Sequence, residues 1–299
     1  MRSVPLRQLT GLWPLRPQPQ GEALFAINDL RTRPRGENEA RIRGLCASAY
    51  LGQDVALCRA LGRYKMFVDS RDRGLSPHLI LDGYWEMWVT EVMARRVRPG
   101  MTVADVGANV GYFTLLLADL VGPGGAVHAF EPNPGIVELL RQNLAVNGFD
   151  ATIHPIALSD TNGGLVRLIV PPNEPKNAHI VPCDPHEAGA STDPMILTTH
   201  RLDSLAALQA VDFLKIDADT AEEAIWRGMS GILEGGRAMT VILEFAPARY
   251  ADPRGFLAAI SSCGFSLAVI DRAAGERAAT VDDILAGAPT EDRMLLLCR

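Results

Sequence analysis

Asp105, Gly107, Asn109 and Gly111 stand together in VADVGANVGYF (residues 103–113), where a short apolar run gives way to a helical one. In a doubly wound sheet, ligands sit outside the carboxyl ends of the strands, and a strand-to-helix turn of this kind faces that crevice. Gly107 would let the backbone approach a ligand without a Cβ clash, and Gly111 would let the helix begin close to the strand. Glu131 ends the next apolar run, at the distance along the chain where one carboxylate takes two hydrogen bonds from a ribose diol. A dinucleotide fingerprint would carry glycine where Asn109 stands; a side chain there obstructs a pyrophosphate but suits a small zwitterion. S-adenosylmethionine fits, with its ribose on Glu131 and its amino-acid end on Asp105 and the loop backbone. A tight strand-to-helix turn with no ligand is the plain alternative.

A second group of ionisable residues surrounds LKID. Lys215 and Asp217 are two residues apart, so strand alternation puts them on one face. Asp217 would face the same crevice as Asp105 and is the leading candidate for a general base or acceptor orienter; capping a helix that begins near Ala221, or contacting the cofactor or its water, is the alternative. Lys215 either pairs with these acids or covers a helix with its methylene stem. Asp219, Glu222 and Glu244 add carboxylates that could together hold a divalent ion, although no metal is expected. His179 and His200 lie in or beside a long polar excursion, where a lone histidine is either a base or a surface residue. His128 and His154 fall within strands. Tyr84, Trp85, Met87 and Trp88 are spaced as helix packing residues, with an aromatic wall for the cofactor as the other reading.

The elements that must position these residues alternate strand and helix after Gly100, as βαβ units do. MTVADVG precedes a helix over Gly111–Val121, and AVHAFEP precedes one over Gly135–Asn147 stopped by Gly148. ATIHPIAL, VDFLKID, AMTVILEF and FSLAVI continue the series, with helices near Ala221–Leu233 and Pro253–Cys263. MLLLC closes the chain; the final strands come without an intervening strong helix, so an antiparallel strand at one sheet edge is expected. Residues 1–46 read as an irregular arm with a short helix near Glu37–Cys46. Residues 47–99 read as a small antiparallel sheet and a lead-in helix over Tyr84–Val97, and residues 100–299 as the main, nucleoside-binding domain. The proline-rich excursion between Leu165 and Leu202 reads as a lid or a disordered loop.

DVGANVGYFT, AFEPNP, NLAVNG, IALSD, TTHRLDSL and FLKIDADTAEEAIWRGM, in that order, resemble the FkbM family of S-adenosylmethionine-dependent methyltransferases. The likeness runs from about Tyr64 to Phe245. It implies an α/β class I methyltransferase fold, Rossmann-like, with a mostly parallel sheet, helices on both faces and a small N-terminal β/helical extension. It also implies O-methylation of a hydroxyl on a sugar, polyketide or related small molecule. By the family pattern Asp105, Gly107, Asn109, Gly111 and Glu131 line the cofactor, Ser159 and Asp160 lie near its adenine, and Glu86 lies near its methionine end. The family usually reads LKID-Val-Glu-Gly-x-Glu; here Ala218, Asp219 and Thr220 replace Val-Glu-Gly, with Glu222 in place.

Composition sets the outer bounds. With 299 residues, 47% apolar and 21% charged, the chain can build a sizeable core. A net charge of −6 disfavours a partner bound through phosphates, so no nucleic acid is expected. Five scattered cysteines without a CxxC pair suit a reducing, cytoplasmic setting. No segment is long and apolar enough for a membrane span. The N-terminal arginines are a solvated surface or, less simply, a homodimer contact. Two other functions stay open: a nicotinamide-dependent oxidoreductase or epimerase, and a nucleoside-binding module without catalysis. If Glu131 holds the ribose, Glu131→Ala weakens S-adenosylhomocysteine binding by about 1–3 kcal/mol in isothermal titration; unchanged affinity removes that assignment.

Overall fold

The computed structural model describes residues 24–183, 195–273 and 275–299. The first 23 residues of the expected arm, and 184–194 of the excursion, lie outside them.

Three antiparallel strands come first: β1 (Ser48–Gly52), β2 (Val55–Ala60) and β3 (Tyr64–Asp69), paired in that order. The helices Asp29–Thr32 and Arg35–Leu45 precede them. The apolar faces of this region are not separate from the rest. Phe25, Ile42, Leu61 and Met66 are buried in one cluster with Leu115, Leu116 and Leu140 of the main domain. Asn143 fastens the two parts, accepting the Phe67 N–H at 2.6 Å and donating to the Phe67 and Val110 carbonyls.

The expected lead-in helix is shorter than its apolar spacing predicts. A helix covers Ser76–Leu81, and a second covers Met87–Arg96. Tyr84 and Trp85 fall in the break between them, which two left-handed residues create: Gly83 at φ +78° and Glu86 at φ +37°. A side chain on Gly83 would press on the Arg59 carbonyl and the Cys46 side chain.

The main sheet has eight strands. β4 (Thr102–Val106), β5 (Ala126–Phe130) and β6 (Thr152–His154) run parallel in one direction from its centre. Much later in the chain, β11 (Phe213–Ile216) pairs parallel with the other side of β4, and β12 (Thr240–Phe245) pairs parallel with β11. The strand order therefore reverses between β4 and β11, which opens the ligand crevice at their carboxyl ends. Helices Tyr112–Val121 and Pro134–Asn147 make the crossovers, the second started by the Asn133 side chain and stopped by Gly148 at φ +68°.

The last strands make the expected antiparallel edge: β15 (Arg293–Cys298) inserts antiparallel between β12 and β13 (Ser266–Asp271), and β14 (Gly275–Ala278) takes the edge, antiparallel to β13. Three other expectations change. ATIHPIAL is two strands, since Pro155 removes a ladder donor: β6 stays in the main sheet while β7 (Ala157–Leu158) leaves it. The excursion is not a bare loop, because β8 (Leu165–Ile169), β9 (His179–Pro182) and β10 (Ile196–His200) join β7 in a second sheet. The helix expected over Ala221–Leu233 divides into Glu222–Arg227 and Ser230–Glu234. Gly228 sits at that division, and a Cβ on it would lie 2.0 Å from the Ser159 carbonyl oxygen.

Candidate functional site

The turn after β4 is shaped by backbone approaching backbone. A Cβ on Gly107, which has φ +76°, would lie 1.8 Å from the carbonyl oxygen of Asp217 at the end of β11. Beside the expected reason for this glycine, room for a ligand, stands the closeness of two strand ends at the reversal point. Gly111 likewise makes room for Leu140, whose Cδ1 would be 2.5 Å from an added Cβ. The Gly107 and Ala108 amides donate to the Phe130 carbonyl, each at 3.0 Å, which ties the loop to the end of β5.

Beneath the cleft lies a buried charge group. Lys215 pairs across the sheet with Asp105, residue against residue. Its Nζ is 3.1 Å from Asp217 Oδ2 and 3.7 Å from Asp105 Oδ1, and sits over the Phe113 ring at 5.2 Å. Burial pulls the ammonium's pKa down, but Asp217 and Asp105 outweigh it and hold Lys215 charged. Asp105 is fully buried and accepts the Thr114 hydroxyl at 2.6 Å; burial raises its carboxyl and Lys215 opposes the rise. Of the two sequence readings of Lys215, the charge pair is the one present. Asp217 caps nothing, because the next helix begins at Glu222 after an Ala221 N-cap without side-chain bonds.

Glu131, Glu86 and Asp217 all line the cleft, together with Gly107, Asn109, Lys215 and His179. Glu131 accepts the Asn109 N–H on one oxygen (3.0 Å) and the Asn133 N–H on the other (2.8 Å). A carboxylate oxygen accepts more than one donor, so both oxygens keep capacity for hydroxyls. Burial pushes the Glu131 carboxyl up to about 7. Glu86 enters from the break between helices in left-handed backbone, and its Oε2 is closed to solvent and unpartnered. Burial, and then repulsion from Asp217, push it up to about 7.

Four of the expected cofactor residues are not on the lining. Asp105 reaches the cleft only through Lys215, so it does not offer its carboxylate to a ligand's amino-acid end. Gly111 is the N-cap of the helix behind the loop. Ser159 and Asp160 lie just past the lining residues Ile156, Ala157 and Leu158, with Asp160 held 3.0 Å from Arg227 Nε. His200 is likewise absent from the lining, whereas Trp85 is a wall of the cleft.

Lys176, Arg249 and Asp292 also line the cleft, and no local sequence signal marks them. Arg249 bridges Glu244 and Asp292, the latter at 2.8 Å. Burial, and then Asp217, push the Glu244 carboxyl up, while Arg249 opposes the rise. Asp292 precedes β15, and only the unforeseen insertion of that strand beside β12 brings it here. Glu222 holds the turn above, accepting the Ala218 N–H at 2.9 Å and the Tyr250 hydroxyl at 3.1 Å. Asp219 and Thr220 are consecutive left-handed residues, at φ +44° and +87°.

The crevice at the reversal of strand order, floored by a buried lysine and lined by acids, belongs to the fold of the S-adenosylmethionine-dependent class I methyltransferases. The chain belongs to the FkbM methyltransferase family: the family's methyltransferase FkbM domain matches residues 105–267. It is 43% identical over 68 residues to a protein-L-isoaspartate O-methyltransferase of Aeropyrum pernix, covering 23% of this chain and 26% of that one. It is 45% identical over 67 residues to the 31-O-demethyl-FK506 methyltransferase FkbM of Streptomyces tacrolimicus, covering 22% and 25%. The chain thus spans about a quarter of the length of these relatives. Among solved structures, the tRNA (uracil-54, C5)-methyltransferase of Pyrococcus abyssi aligns at TM-score 0.43 and 11% identity, over 83% of this chain and 44% of that one. Among the described residues, no helix is long and apolar enough to cross a membrane.

The residues fit the cofactor. Its ribose needs hydroxyl acceptors and its methionine end needs an acid for an ammonium, and Glu131 and the unpartnered Glu86 are both on the lining. Because the folded-state pKa of Glu86 is raised from 4.5 to about 7, its contribution to stability is full below about pH 4.5 and is lost as pH rises through about 7. Glu86→Gln, which stays neutral, therefore raises the unfolding free energy of the ligand-free protein at pH 8 by about 1–2 kcal/mol, with the gain shrinking towards pH 5. Urea titrations at the two pH values measure it; a gain equal at both contradicts the burial of an unpaired charge.

Proposed function

We propose that the protein methylates an oxygen, a hydroxyl of a small sugar- or polyketide-type acceptor. Glu131 takes the ribose hydroxyls, Asn109 and Gly107 form the loop beside them, and Glu86 takes the ammonium of the methionine end. Bound there, S-adenosylmethionine supplies an electrophilic methyl group, and its transfer to an acceptor oxygen breaks the methyl carbon–sulfur bond and leaves a neutral thioether. The protein's own task is to align the acceptor, keep water out and remove the hydroxyl proton.

The observation that carries this reading is the pair of acids at the end of β11. Asp217 is fixed by Lys215 at 3.1 Å, so it serves as the orienter of the acceptor hydroxyl. Asp219 makes no ion pair among the described residues, and burial followed by repulsion from Asp217 pushes its carboxyl up to about 7. A carboxylate of that basicity accepts a proton near neutral pH far better than one at the usual value. His179, also on the lining, has its Nδ1 3.4 Å from the Asn177 carbonyl and is the second proton acceptor of the cleft. Two relatives whose names specify O-methylation, the isoaspartate enzyme and the enzyme acting on 31-O-demethyl-FK506, support an oxygen acceptor.

Transfer of labelled methyl from S-adenosylmethionine to a panel of sugars and polyol macrocycles tests this. The rate constant kcat/KM should rise with pH through about 7, since Asp219 works only when deprotonated. With S-adenosylmethionine saturating, so that Glu86 and Glu131 are already engaged, Asp219→Asn should lose about 100-fold or more and abolish that limb. Binding of S-adenosylhomocysteine with no transfer to any hydroxyl would instead favour the non-catalytic module, and binding of a nicotinamide dinucleotide in its place would favour the oxidoreductase.

A further inference from the structure

Four basic side chains line the cleft: Lys176, His179, Lys215 and Arg249. Lys215 is engaged by Asp217 and Asp105, Arg249 by Glu244 and Asp292, and the His179 ring faces the Asn177 carbonyl. Lys176 makes no ion pair among the described residues, although Glu86 and Asp219 both feel its charge.

Its position is built. Lys176 sits in the short turn Pro175–Asn177 between β8 and β9, over the cleft. Its methylene stem lies against Gly74, where any Cβ would be 2.4 Å from Lys176 Cδ and Cε. The Gly74 turn is fixed from below by the Asp72 carboxylate, which accepts the N–H groups of Gly74, Leu75 and Ser76 at 2.7–3.0 Å. It is tied to the β8–β9 connection by the Arg73 N–H on the Asn173 carbonyl at 2.8 Å. The ammonium is then set 5.8 Å from the centre of the Trp85 ring, whose neighbour in sequence is Glu86. An unpaired cation and an unpaired carboxylate thus face one cleft from two segments that are fastened to each other.

We propose that Lys176 is the receptor for the α-carboxylate of S-adenosylmethionine, with Glu86 receiving the ammonium on the same carbon. The proposal rests on the cofactor reading above. A zwitterion satisfies both side chains at once, whereas an anion on Lys176 alone would leave Glu86 Oε2 closed to solvent and unpartnered. It also gives the β8–β9 connection a use, since the lysine it carries is seated by the bound cofactor.

Isothermal titration with two nucleosides tests it. S-adenosylhomocysteine carries the amino-acid group and 5′-methylthioadenosine lacks it, while both present the same ribose and adenine. Lys176→Met should weaken S-adenosylhomocysteine about tenfold or more and leave 5′-methylthioadenosine within about twofold. Lys176→Arg, which restores the charge, should recover most of the loss. Two results overturn the proposal alone: a Lys176→Met variant that binds S-adenosylhomocysteine as the parent does, which moves Lys176 to the acceptor, or equal weakening of both nucleosides, which makes it a packing residue. A parent protein that binds neither nucleoside overturns the cofactor reading and this proposal with it.

Discussion

One ammonium between two carboxylates, closed off from water, is the constraint on which the site depends. Lys215 is 1% exposed, so its charge survives only through Asp105 on the adjoining strand and Asp217 two residues further along its own. A buried charge stripped of its partner is far costlier than the pair. The group therefore fixes which residues of β4 and β11 stand side by side, and with them the place where the sheet reverses. Gly107 serves the same end, because only a residue without Cβ lets the turn after β4 meet the Asp217 carbonyl.

Backbone strain gathers around this floor. Glu86, Asn109 and Asp219 have positive φ without being glycine, and all three line the cleft. Thr220 follows at φ +87° where the family usually has glycine. A β-branched residue in that region costs roughly 1–3 kcal/mol, and such costs persist where the surrounding structure and the function over-determine them. Glu222 supplies that over-determination by holding the Ala218 amide and the Tyr250 hydroxyl. The Asp219–Thr220 segment is thus held in its strained turn.

Much of this was legible in local sequence. Strand alternation alone put Lys215 and Asp217 on one face, and the glycine turn with Glu131 at the next strand end marked the crevice. The alternation of strands and helices gave the parallel half of the sheet. What escaped was set by distant pairing. Nothing local tells MLLLC to insert between β12 and β13, so Asp292 could not be placed. Prolines in the excursion hid three strands whose hydrogen bonds go to β7 and to each other, and with them the place of Lys176. Glu86 was carried by resemblance alone, because helical spacing ran through the break that turns it inward.

Urea unfolding of Lys215→Met, measured beside Lys215→Met combined with Asp105→Asn, tests the charge group most directly. The single variant should lose about 3–5 kcal/mol, and neutralising Asp105 in addition should return part of that loss. A single variant within about 0.5 kcal/mol of the parent, or a second substitution that only deepens the loss, would contradict the account.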